Sequence, residues 1–205
     1  MLFRSTATTT GLANNATVSS TADAEGDNTT TGNAVSNVPG AVLPQPGHAF
    51  PTRRPSDQTT TVACTGATLS GRTPGSTLTM PEGDVTCTYT NTRIQRSLTL
   101  KKTWVDGKPG DAVTATTTGL ANNATVSSTA DAEGDNTSTG NAVSNVPGAV
   151  VTLPAEQFTT GSQANYTTTV ACVGATLSGS TPGSTFTMPE GDVTCTYTNT
   201  RKSVT

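Results

Sequence analysis

The sequence predicts an all-β protein built from two copies of one β-sandwich, the first copy lacking its N-terminal strand. Three observations carry that prediction. The stretch CTYTNTR stands at residues 87–93 and again at 195–201, so the chain repeats itself with a period of 195 − 87 = 108 residues. Short Thr- and Val-rich segments alternate with clusters of Gly, Pro, Asn and Asp, which is the pattern of strands and turns, and no stretch has helical periodicity. Only 4% of the residues are aromatic and 12% charged, so each copy has a thin core that needs further staples.

In a chain of 205 residues that period means a truncated repeat over 1–95, a complete one over 96–203, and the start of a further repeat at 204–205. Residues 7–42 match 115–150 with one difference, Thr30 against Ser138. Residues 59–93 match 167–201 with three: Thr65/Val173, Arg72/Ser180 and Leu78/Phe186. Nothing ahead of Met1 matches Ser97 to Lys108, so the chain reads as a fragment of a longer array. The first repeat is then expected to leave a sheet edge and an apolar groove, covered by Leu2-Phe3 or by a strand from another copy. Between the matched blocks, LPQPGHAFPTRRPSDQ (43–58) shares only Pro46, Phe50 and Thr52 with VTLPAEQFTTGSQANY. Compensating frameshifts, recombination or a sequencing artefact would each produce this pattern, and a selected basic loop is the functional alternative.

Within the complete repeat the strands follow from period-two alternation. In SLTLKKTW, Leu98, Leu100, Lys102 and Trp104 share a face; the apolar members must point inward and take Lys102 with them. In YTTTVAC, Tyr166, Thr168, Val170 and Cys172 share a face, and in VTCTYTN so do Val193, Cys195, Tyr197 and Asn199. Cys172, Cys195, Lys102 and Asn199 are therefore all expected on the core side. The segment from Asn122 to Asn145 is polar throughout, and one or two edge strands with long loops are expected there.

Each repeat carries two cysteines 23 residues apart, Cys64 and Cys87, then Cys172 and Cys195, with no C-x-x-C spacing and no histidine beside them to complete a metal site. An even count in a small-cored β-domain reads as one disulfide per repeat and an oxidising compartment; buried free thiols in a reduced cell are the alternative.

The net charge of −3 supplies no reason to bind nucleic acid or an anionic membrane. No apolar run reaches membrane-spanning length, and Met1-Leu2-Phe3-Arg4 is too short for the apolar core of a signal peptide. The sole histidine, His48, falls in the divergent stretch without a counterpart in the second repeat, and the glycines sit in G-x-T-P-G-S turns, so neither a nucleophile–histidine engine nor a phosphate loop is present and no enzyme is expected. No cofactor is expected, with one weak Ca²⁺ candidate: DAEGDN at 131–136 offers Asp131, Glu133 and Asp135, at a spacing unlike the twelve-residue calcium loop.

LTLKKTWVDG, then LPAE at 153–156, TTTVAC and VTCTYTNTR follow one another in an order that resembles the prealbumin-like, Cna B-type repeats found in tandem in large bacterial surface and secreted proteins. The resemblance covers 96–203 and most of 7–95. It implies a prealbumin-like or Ig-like sandwich of about seven strands, serving as a stalk or spacer in an adhesin-like protein at the cell surface or outside the cell, with neighbouring repeats as its partners. It also implies an isopeptide bond between a first-strand lysine and a last-strand asparagine assisted by a buried glutamate, which falls here on Lys102, Asn199 and Glu156; in the first repeat His48 stands at the glutamate position. A lysine that snorkels to solvent and an asparagine that ends its strand are the plain alternatives. The rival function is a binding module, in which the threonine-rich faces or residues 43–58 recognise a host or surface glycan.

Overall fold

A computed structural model describes residues 4–8, 17–21, 30–32, 34, 40, 42–44 and 58–203. His48, with most of the divergent stretch, and residues 204–205 lie outside the described residues. The chain divides into two compact units, Met1–Ile94 and Gln95–Thr205, and among the described residues the only helical element is one 3-10 turn.

The first unit contains β1 (Arg4–Thr8), β2 (Thr17–Thr21), β3 (Val42–Pro44), β4 (Gln58–Thr65), β5 (Thr77–Thr79) and β6 (Thr86–Arg93). They pair antiparallel as β1–β2, β3–β5 and β4–β6. Cys64 stands opposite Cys87 in the last of these pairs, and the two are bridged.

The second unit contains β7 (Arg96–Val105), β8 (Ala112–Thr116), β9 (Thr125–Thr129), β10 (Thr137–Thr139), β11 (Val143–Asn145), β12 (Val150–Thr152), β13 (Gln157–Thr160), the 3-10 turn Gln163–Asn165, β14 (Tyr166–Val173), β15 (Thr185–Thr187) and β16 (Val193–Arg201). One sheet runs β10-β7-β16-β14, with β11 also on β7; β13-β8-β9 forms a second sheet and β12–β15 a separate pair. The first and last strands, β7 and β16, are parallel neighbours, from Val193 opposite Leu98 to Thr200 opposite Val105. Every other pairing among the described residues of this unit is antiparallel.

The inner faces are those the alternation requires. Leu98, Leu100, Lys102 and Trp104 are buried along β7, and Val193, Cys195, Tyr197 and Asn199 along β16, while the residues between them are at least partly exposed. Leu98, Leu100, Val170 and Tyr197 pack against Ala115, Val126, Val151, Leu153, Phe186 and Met188 in the layered core of a β-sandwich. A second cluster joins Trp104, Val113, Ala130 and Tyr166 with Phe158 at its margin. Trp104 meets Tyr166 edge-on with ring centroids 5.2 Å apart, the arrangement aromatic quadrupoles favour. At the turn after β14, Gly174 has φ +92 and lies so close to the Asp192 carbonyl that a Cβ would collide with it, so glycine is required. The neighbouring Asp192 side chain accepts a hydrogen bond from the Ser97 amide at 2.8 Å and ties the entry of β7 to that of β16.

Two expectations need correction. The polar segment from Asn122 to Asn145 holds three strands, β9, β10 and β11, rather than one or two, each at a sheet edge. Hydroxyl pairs across strands do there what apolar side chains do elsewhere: Thr114 with Ser127 at 2.8 Å, Thr116 with Thr125 at 3.0 Å, Thr103 with Thr137 at 3.0 Å. The second unit is also divided into ten strand segments, not about seven, because several are only three residues long.

Cys172 and Cys195 are direct cross-strand partners, bridged, with Cα atoms 4.1 Å apart, the close spacing of a non-hydrogen-bonded pair. Replacing both by alanine is expected to lower stability by roughly 3 kcal/mol through restored freedom of the unfolded chain. A urea midpoint that does not move would show that the bridge constrains nothing.

Candidate functional site

Lys102 has no accessible surface. The alternation of β7 fixes this: Leu100 and Trp104 flank it on the inner face, so its ammonium cannot turn outward without turning the strand over. Its Nζ donates to the Thr103 carbonyl at 3.2 Å, lies 3.3 Å from Glu156 Oε1, and sits 4.5 Å from the centroid of the Trp104 ring. Glu156 is held 5% exposed just ahead of β13. Tyr197 of β16 positions that segment, since its hydroxyl donates to the Pro154 carbonyl at 2.9 Å.

Asn199, also fully buried, follows two residues after Tyr197 on β16 and stands opposite Trp104 in the parallel register. Its Oδ1 accepts a 2.6 Å hydrogen bond from the hydroxyl of Thr168, its partner on β14. The Thr168 oxygen in turn accepts from Gln163 Nε2 at 2.7 Å.

Burial governs the electrostatics of this group. Desolvation lowers the Lys102 ammonium to about 8, although the carboxylate of Glu156 pulls it upward. Desolvation likewise raises Glu156, against the opposing effects of Lys102 and Asn199. Both shifts favour moving one proton from nitrogen to oxygen, which leaves a neutral amine beside a neutral acid. Tyr197 is raised by burial and by the nearby Glu156 charge, which keeps its hydroxyl a donor.

Both Glu156 oxygens and Asn199 Nδ2 are buried, and the carboxylate is held by its ion pair with Lys102 and by the Asn199 side chain. Glu156 is the member that meets both others, Lys102 through the ion pair and Asn199 through its side-chain amide. The available chemistry is amine attack on a carboxamide, with a carboxyl group to move the proton.

The structure therefore brings Lys102, Glu156 and Asn199 together, and it joins Cys64 to Cys87 and Cys172 to Cys195. It does not gather Asp131, Glu133 and Asp135 into a cation site: among the described residues no cluster of three ligands forms. Asp131 Oδ1 accepts from the Glu133 and Gly134 amides at 3.1 and 2.9 Å, and Asp135 Oδ1 accepts from the Asp106 amide at 2.8 Å, so these carboxylates organise turns. Sequence reasoning passed over two members of the site. Thr168 was legible as the polar member of an inward row, whereas Gln163, in the turn before β14, gave no signal.

No protein-family model, curated protein or solved structure matches the chain.

In an Asn199→Ala chain, which lacks the amide to be attacked, NMR titration of isotope-labelled lysine should show Lys102 titrating near about 8, well below the ordinary value of about 10.4. Adding Glu156→Gln removes the neighbouring charge and should lower it further. A Lys102 signal at the ordinary value would mean that the ammonium reaches water.

Proposed function

We propose that this chain is part of a stalk: tandem prealbumin-like β-sandwich repeats that act as structural spacers in a bacterial surface or secreted adhesin-like protein. Each repeat is stapled by one disulfide, and the second also by an isopeptide bond between Lys102 and Asn199. The observation that carries this reading is the convergence of a buried lysine, glutamate and asparagine across the first and last strands of one unit. Disulfides persist in oxidising surroundings and support a place outside the cytosol. Among the described residues no helix is long and apolar enough to cross a membrane.

The bond forms in three movements. Lys102 passes a proton to Glu156, and the neutral Nζ attacks Asn199 Cγ. The new Nζ–Cγ bond then replaces the Cγ–Nδ2 bond. Glu156 relays a proton to Nδ2, which leaves as ammonia, so an amine and a primary amide become a secondary amide plus ammonia, with no oxidant involved.

A stalk transmits force, and the location of the bond suits that task. Tension entering at Gln95 and leaving after Arg201 loads β7 and β16, the two strands the bond would join. With the link in place, the 199 − 102 − 1 = 96 residues between the two positions are removed from the load path.

Intact-mass measurement of the full chain should show two hydrogens missing for each of the two disulfides and one ammonia missing in addition. Lys102→Ala, Asn199→Ala and Glu156→Ala should each restore the ammonia, and a wild-type mass without the deficit would end the isopeptide reading. In single-molecule pulling the wild-type second unit should give no long extension. Asn199→Ala should release a step on the order of 25 nm, from about 3.5 Å per freed residue with the loop closed by the disulfide excluded. A long step from both proteins would remove the load-bearing role.

A further inference from the structure

Resting on the cross-link reading above, we infer that Thr168 is a fourth member of the reacting group, the hydrogen-bond donor that activates the Asn199 carbonyl, and that Gln163 is the residue that aims it.

A threonine hydroxyl has one hydrogen to donate and lone pairs with which to accept. Gln163 Nε2 donates to Thr168 Oγ1 at 2.7 Å, so the hydroxyl hydrogen remains for Asn199 Oδ1 at 2.6 Å. Proton counting thus fixes the direction of the chain: Gln163 to Thr168 to Asn199 Oδ1. An oxygen that is already accepting also becomes a stronger donor, because hydrogen bonds in series polarise one another.

This direction shapes the reaction in two ways. When Nζ attacks Cγ, negative charge develops on Oδ1, and the Thr168 hydroxyl is already in contact with that atom in a site closed to water, where a preorganised donor has its largest effect. Holding Oδ1 on the β14 side also turns Nδ2, a buried nitrogen, away from Thr168. The leaving group is thus presented to Glu156, whose carboxyl is hydrogen-bonded by the Asn199 side chain. Thr168 sets which end of the amide is activated and which departs.

The first unit supplies a contrast. Thr60 donates to Asn91 Oδ1 at 2.7 Å, so the cross-strand threonine–asparagine bond recurs there. The position equivalent to Gln163, 108 residues earlier, is Pro55, which has no side-chain donor. The Thr–Asn pair belongs to the strand register, and the polarising amide belongs to the unit that also carries the lysine and the glutamate.

The test is the rate of ammonia loss from the full chain, made by pulsed cell-free synthesis under oxidising conditions, quenched at intervals and weighed intact across a range of pH. Thr168→Val, which keeps the shape and removes the hydroxyl, should slow the loss by about 100-fold, the usual effect of deleting one such donor. Thr168→Ser should restore it to within a few-fold, and Gln163→Ala, an exposed position, should slow it several-fold with the fold intact. The slowing should be the same at every pH, because the limbs of the pH profile belong to Lys102 and Glu156. A wild-type rate in Thr168→Val, a serine variant as slow as valine, or an unchanged rate in Gln163→Ala would overturn the assignment while leaving the cross-link standing. A wild-type chain that never loses ammonia would remove both.

Discussion

The parallel contact between β7 and β16 is the constraint on which the second unit depends. It places two inward rows side by side, Leu98-Leu100-Lys102-Trp104 and Val193-Cys195-Tyr197-Asn199, so that one lysine and one asparagine enter an otherwise apolar interior together. An isolated ammonium there would be untenable, and Glu156 answers it at 3.3 Å. Yet a buried ion pair is weak support for a fold, because the desolvation of both charges opposes their attraction. Proton transfer from Lys102 to Glu156 would remove both charges, and the proposed conversion of the amine to an amide would make that removal permanent.

β16 is where the disulfide and the proposed isopeptide bond converge. On one side Cys195 is bonded to Cys172 of β14; on the other Asn199 stands opposite Trp104 of β7, two residues along the same inward face from Lys102. Tyr197, between them, reaches across to the Pro154 carbonyl and sets the segment that carries Glu156. One strand of nine residues thus organises the staple, the reacting amide and the acid that serves it. Its outward residues are threonines that align with threonines of neighbouring strands, such as Thr198 between Thr103 and Thr169, which suits the pleated surface without adding to the core.

How much of this was legible in the sequence varied with the range of the interaction involved. Period-two alternation is local, and it placed Lys102, Asn199 and the cysteines inward before any contact was known. The disulfides were legible because each repeat holds two cysteines and the second repeat's pair falls on inward rows, which the antiparallel pairing then sets opposite each other. Glu156 came only through the resemblance of LPAE to a family pattern, since an irregular segment ahead of a strand has no periodicity to read. The strands between Asn122 and Asn145 were under-read because hydroxyl pairs rather than apolar residues hold them. The chain from Gln163 through Thr168 to Asn199 depends on the β14–β16 register and on the 3-10 turn, neither of which composition can specify.

The separation of the reacting residues fixes when the bond can form. Lys102 and Asn199 are 199 − 102 = 97 positions apart, and in the unfolded chain their encounter is rare and their polar groups are in water, where the amine stays protonated. Only after β7 and β16 have paired are the amine desolvated, the acid adjacent and the amide oriented; folding supplies the proximity and the electrostatics together. The proposed cross-link would therefore follow folding rather than guide it, and in the folded state it would close the route through which β7 and β16 separate under load or heat. A thin core would need little else if that bond held its first and last strands together.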